Sequence, residues 1–152
     1  MTSLMPLALP LFEDDRGKLS FGEVGNQLPF TPQRYFIVFD VDGDVVRGGH
    51  AHRRCHQFLV AVSGRVVVNT DDGVQKQEHI LDRPTLGLHI PPGVWGDQRY
   101  LGPDARLLVL ASEGYDRSEY ISDYDEFLRF RRSASDAQSE PKDYQARLRE
   151  RR

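Results

Sequence analysis

Cysteine is nearly absent from this chain of 152 residues. Cys55 stands alone, so no internal disulfide can form, and a single thiol suits a reducing cytoplasm. An excess of basic charge is missing too. Twenty Lys and Arg against 23 Asp and Glu give a formal net charge of −3 at pH 7. That argues against a nucleic-acid polymer or an anionic membrane as partner, since both select a basic face. A basic pocket for a small anion stays compatible with it. Long apolar runs are lacking: none approaches the roughly 20 residues of a membrane span. The opening MTSLMPLALPLF is apolar, but it has no basic region and holds two prolines, so it is not read as a signal peptide. The chain is expected to work in the cytoplasm, away from membranes.

Short strands and turns fill most of the chain. Residues 34–41 (RYFIVFDV) are rich in aromatic and β-branched types, as strands are. DGD at 42–44 is a turn signal. HQFLVAV at 56–62 is an apolar run of strand length, and Ser63 and Gly64 turn it into RVVVNT. DDG at 71–73 predicts a hairpin, because Gly tolerates positive φ there. Further strands are expected at 77–81, 85–90 and 106–112, separated by DRP, PPG and GPD turns. Many short strands at this spacing predict an all-β antiparallel sandwich or barrel. After residue 112 the alternation stops. Tyr120, Ile121, Tyr124, Phe127, Leu128 and Phe130 show a roughly helical spacing and predict a short helix over about 122–132 that lies on the sheet. Residues 1–132 are expected to form a single domain, and 133–152 a polar, mobile tail, helical in its last third.

RGGHAH at 47–52 carries the clearest chemistry. Alternate side chains of an extended strand share a face, so His50 and His52 point the same way. If strand 56–62 lies beside them, Gln57, Leu59 and Ala61 form one of its faces. The spacing His-x-His-x4-Gln-x6-Gly resembles the first motif of the cupin superfamily, and PPGVWG at 91–96 matches the frame of the second. The resemblance implies a cupin β-barrel or jelly roll with a short C-terminal helix. A cupin metal site takes three histidines and one carboxylate. This chain has Gln57 at the carboxylate position and Gly96 at the third histidine position. An amide oxygen is a poor transition-metal ligand and glycine has no side chain. No metal and no cofactor are expected, although His56 or His89 would be the substitutes if a site existed. Bare imidazole, with a pKa near 6.5, exchanges protons at neutral pH.

Beyond that frame, DDRGKL, RGGHAH, CHQFLVAVSG, LDRPTLGLHIPPGVWG and LLVLASEGYDRSEYISDYDEF together resemble the sugar-nucleotide 3,4-ketoisomerases, the WxcM-like cupins, over residues 13 to 130. The resemblance implies a metal-independent isomerase that moves a carbonyl between C4 and C3 of a dTDP-linked 4-keto-6-deoxy sugar. It also implies a homodimer with exchanged N-terminal strands. His50 and His52 would be base and proton carrier, in an order the sequence leaves open. Arg16 and Arg47 suit a diphosphate, because a guanidinium fork binds two oxygens. Tyr35 and Trp95 would wall the pocket, Gln57 would bond a sugar hydroxyl or an imidazole, and His89 would replace a tyrosine of other members. Phe36, Ile37 and Gly96 depart from the family pattern. They leave open another sugar or nucleotide, or a nucleotide-sugar binder without turnover.

Overall fold

The computed structural model describes residues 3–139. Ten strands and one helix follow in chain order. The strands are β1 (Leu7–Ala8), β2 (Leu11–Asp14), β3 (Gly17–Ser20), β4 (Arg34–Val38), β5 (Val46–His52), β6 (Gln57–Asp71), β7 (Lys76–Leu81), β8 (Leu86–Ile90), β9 (Trp95–Ala111) and β10 (Tyr120–Ile121). Helix α1 spans Tyr124–Ser139. All pairings between these strands are antiparallel, as the sequence led one to expect.

Two long bent strands organise the molecule. β6 and β9 pair along most of their length, with register shifts between Ala61 and Arg65. The first half of β6 meets β8, and its second half meets β7. The first half of β9 meets β5, and its last five residues meet β4. One continuous sheet is thereby folded into two facing halves. The expected turns at Ser63–Gly64 and at GPD, residues 102–104, are bends within these strands rather than strand ends. Gly64 is required at the bend. Its φ is +65°, and a Cβ there would lie 2.6 Å from the Cα of Ala105.

The enclosed core contains Leu59, Ala61, Val66, Val68, Leu81, Leu88, Tyr100, Leu107 and Val109. Burying such side chains stabilises by about 1.5–3 kcal/mol each. A second apolar group, Leu28, Phe58 and Val60 with Leu9, Phe30 and Leu110, covers the outer surface of the same strands. The alternation Leu59/Phe58/Ala61/Val60 thus buries both faces of β6, which is why the run reads as continuously apolar. The β2–β3 hairpin forms a separate two-stranded sheet with Phe12 and Leu19 exposed.

α1 starts two residues later than predicted and runs seven residues further. Its start is set by Asp123, whose carboxylate accepts a bond from the Glu126 amide at 2.8 Å. Phe127 and Leu128 bury it against Ala51, Ile121 and Trp95. The predicted tail therefore begins inside this helix, and its helical last third lies outside the described residues.

Candidate active site

His50 and His52 leave β5 on the inward face. Ala51 between them points the other way, to the helix. The rings meet edge to face, with centroids 5.2 Å apart. Tyr120 lies opposite His52 in the β10–β5 pairing, so it shares their face. Its ring centroid is 4.5 Å from that of His52 and 5.0 Å from that of His50. This phenol stands against both imidazoles, although the sequence counts Tyr120 and Ile121 only toward the helical spacing; they form a strand instead. A strand of two residues gives no periodic signal.

The imidazoles are held neutral. Burial pushes His52 down to about 4, helped by the neighbouring His50 and opposed by Glu119. Burial also lowers His50, against a hydrogen bond to the Gly48 backbone. His52 is 5% exposed, and among the described residues neither of its ring nitrogens has a hydrogen-bond partner. Buried polar atoms are normally satisfied, so an unsatisfied imidazole facing the interior is a group kept for something else.

The support behind the rings is a buried carboxylate. Glu119 is 3% exposed. Its Oε1 accepts bonds from the Arg54 and Cys55 amides, and its Oε2 lies 3.4 Å from Arg54 Nε. The carboxylate thereby ties β10 to the end of β5 and fixes Tyr120 beside His52.

Of the other residues picked out from sequence, Arg47 and Gln57 share the inward face. Arg47 pairs with Gln98, which in turn pairs with the core residue Val68. Its charge reaches the Tyr100 phenol, which burial nevertheless pushes up to about 12. Gln57 lies in the row of Leu59 and Ala61 and is buried, but β6 is not beside β5: β9 runs between them. Its neighbour across Ala111 is Arg34. Gly96 pairs with His50, and a Cβ there would meet nothing closer than 3.7 Å. A side chain at the missing third ligand position would start in ordinary contact with the Asn69 carbonyl and Ile90, beside the imidazole.

Four residues lie elsewhere. Tyr35 is 68% exposed and faces outward, because the inward parity of β4 belongs to Arg34, Phe36 and Val38. His89 pairs with Phe58 on the outer face, where it stacks on His56 with Nδ1 and Nε2 2.9 Å apart. Trp95 packs outside the sheet against Tyr124 and Phe127. It lines an outer cavity of about 370 Å³ with Asp71, Lys76 and Asp97. Arg16, at the β2–β3 turn, bonds only Asp14 among the described residues, Nη2 to Oδ2 at 2.6 Å. Within one chain these four do not join the imidazole pair.

Among the described residues, no three His, Cys, Asp or Glu side chains converge to hold a metal ion. The His50–His52 pair has Gln57 on another strand and glycine opposite, so neither of the remaining cupin ligand positions supplies a donor suited to a transition metal.

Comparison with known proteins agrees with this geometry. The family described as WxcM-like, C-terminal (FdtA) matches residues 3–132. The TDP-4-oxo-6-deoxy-alpha-D-glucose-3,4-oxoisomerase of Aneurinibacillus thermoaerophilus is 39% identical over 117 residues, 77% of this chain and 84% of that protein. A 3,4-ketoisomerase from Helicobacter canadensis superposes with a TM-score of 0.82 at 36% identity, covering 87% of this chain and 99% of its own. A histidine-to-asparagine mutant of the 3,4-ketoisomerase from Thermoanaerobacterium thermosaccharolyticum, solved with TDP-4-keto-6-deoxyglucose, superposes at 0.80 with 30% identity, covering 85% and 94% of the two chains. The bent antiparallel barrel with paired inward histidines is a cupin fold, and the chain belongs to the WxcM-like, C-terminal (FdtA) family.

Proposed function

We propose that this chain is a 3,4-ketoisomerase of dTDP-linked 4-keto-6-deoxy sugars that works without a metal. The observation that carries this reading is the pair of neutral, inward imidazoles, one of them with both nitrogens unsatisfied. The ketone acidifies the C–H on the neighbouring carbon. His50 takes that proton. His52, whose ring lies against it, completes the transfer. The C–H electrons form an enediol-like intermediate, and return of a proton to the adjoining carbon moves the carbonyl by one position. A neutral imidazole is the base form, and burial keeps it so through the physiological range.

Arg47 is assigned to the diphosphate. It shares the imidazole face because a bulge between Gly48 and His50 restores the parity. The two lie two partner steps apart, about 7 Å along the strand, and the long Arg47 side chain leaves room for a sugar ring between them. Gln57 is assigned to a sugar hydroxyl. Arg16, Tyr35, Trp95 and His89 reach a substrate only if a second copy brings them. The outer face has the character of a dimer surface. Tyr35, Ile37 and Val62 are exposed there, next to an apolar groove of about 550 Å³ lined by Leu9, Leu11, Phe58, Val60 and Leu110. We place a second copy on that groove, and sedimentation velocity showing a monomer at micromolar concentration would remove it. The enzyme works in the cytoplasm, where its one buried thiol stays reduced.

The deciding experiment incubates EDTA-treated protein with dTDP-4-keto-6-deoxyglucose in D₂O. A 3-keto product with deuterium at the exchanging carbon is expected. Absence of both product and exchange, with TDP still raising the melting temperature, would leave a nucleotide-sugar binder instead.

A further inference from the structure

Among the described residues, Arg34 is a cation without an anion. Its side chain lies on the inward face of β4, in the row of Phe36 and Val38. Its Nε is buried and has no hydrogen-bond partner among the described residues, and none of the carboxylates described there lies within ion-pair distance of it. The guanidinium is instead held between two aromatic rings, 5.4 Å from the Phe36 centroid and 5.6 Å from that of Tyr115. Its Nη2 reaches the Tyr120 hydroxyl at 3.5 Å. That hydroxyl belongs to the ring that touches both imidazoles.

A half-buried charge with no counter-ion is costly to keep. Fixed in place by flat packing on two sides, it offers a preorganised positive site for negative charge that appears during a reaction. We propose that Arg34, with the Tyr120 hydroxyl, holds the oxygen that becomes negative when the sugar ketone is enolised. This rests on the isomerase reading given above.

The step balances within the substrate and the protein. The C3–H proton passes to the imidazole while its electron pair forms the C3=C4 bond. The carbonyl π electrons move onto O4, which Arg34 and the Tyr120 hydroxyl stabilise. The proton of the C3 hydroxyl is then lost and one is gained at O4. C4 takes the proton back from the imidazole as C3=O forms.

Geometry favours the sugar oxygen over the diphosphate as the partner of Arg34. A base attacking C3 lies about 3 Å from it, so O4 must sit within one side chain's reach of the imidazoles, where Arg34 is. The diphosphate is a sugar ring away, toward Arg47. Arg47 lies about 13 Å from His52 along β5 once the bulge between Gly48 and His50 is counted.

Arg34→Gln and Arg34→Met test this, the second because its stem keeps the packing between Phe36 and Tyr115 if the first fails to fold. Turnover of dTDP-4-keto-6-deoxyglucose, deuterium exchange at C3 and TDP affinity by calorimetry are measured together. We expect kcat and exchange to fall about 10²- to 10³-fold, TDP affinity to stay within threefold, and free guanidinium to restore part of the lost rate. A kcat within threefold of wild type overturns the proposal. So does a loss of TDP affinity at unchanged kcat, which would make Arg34 a diphosphate clamp. A wild-type protein with no turnover and no exchange refutes the isomerase reading itself, whereas an active wild type matched by both variants refutes only the role of Arg34.

Discussion

The molecule holds two histidine pairs of similar ring separation and opposite character. His50 and His52 stand edge to face on the inward side, and among the described residues neither nitrogen of His52 is bonded. His56 and His89 lie nearly parallel on the outer side, 9° between planes, with a nitrogen of each bonded to the other. Ring centroids are 5.2 Å apart in both pairs, so proximity does not separate them. Satisfaction does. An imidazole whose nitrogen already holds its neighbour's proton has little left to offer a substrate, whereas one left unsatisfied in a buried interior accepts a proton from whatever enters. The neighbours differ in the same sense. The inward pair faces a phenol and, through it, an uncompensated guanidinium; the outward pair faces Phe30 and the apolar surface.

The largest effect should come from breaking this asymmetry at the rate. His50→Asn removes the base and should lower kcat about 10²- to 10⁴-fold with little change in TDP affinity. His89→Asn, applied to the satisfied pair, should leave kcat within threefold. Steady-state kinetics on dTDP-4-keto-6-deoxyglucose distinguish the two. Equal losses in both variants would mean that the outer pair reaches substrate as well, across a dimer.

How far the sequence reveals this difference depends on parity and register. Within one strand parity is legible: His-x-His puts both rings on one face whatever the register. Between strands it is not. Nothing in LGLHIPP tells that His89 pairs with Phe58 and so faces outward. β4 has the same difficulty, since RYFIV is apolar or aromatic on both faces and alternation cannot say which is inside. The sequence offers Tyr35 for the pocket side, while Arg34 and Phe36 occupy it. The antiparallel class was readable because turn signals were frequent. The strand ends at Gly64 and at residues 102–104 were not, because a glycine or a bulge bends a strand without ending its ladder. Tyr120 and Glu119 are hidden for another reason: their importance comes from contacts 64 and more residues away, which a short helical turn and a two-residue strand do not announce.

The next effect is on stability, and pH reads it. His52 is pushed down to about 4, and His50, His79 and His89 are also lowered, each chiefly by burial. In every case the folded state binds the proton less readily than the unfolded chain does at 6.5. As pH falls below 6.5 the unfolded state takes up protons that the folded state refuses, so stability falls with pH down to about 4. Above pH 7 these groups are neutral in both states and contribute no slope. His52 alone accounts for on the order of 3 kcal/mol by pH 4. Melting temperature measured from pH 8 to pH 4 should be flat, then fall. His52→Asn should flatten the fall. An unchanged slope in His52→Asn would mean that its ring is hydrated.

The smallest effect belongs to the outer pair. Replacing His89 by Phe removes one imidazole–imidazole bond but keeps a planar ring stacked beside Phe30 and over His56. A neutral hydrogen bond contributes about 1 kcal/mol, and the new ring adds apolar contact on a face already covered by Phe58 and Leu28. The two terms oppose each other, so denaturant melts should show a change below about 1 kcal/mol, with turnover unaffected. The same exchange on the inner pair, His52→Phe, preserves packing equally well and should abolish proton transfer. If His52→Phe turned over normally, the unsatisfied nitrogens would be idle, and the contrast between the two pairs would carry no chemistry.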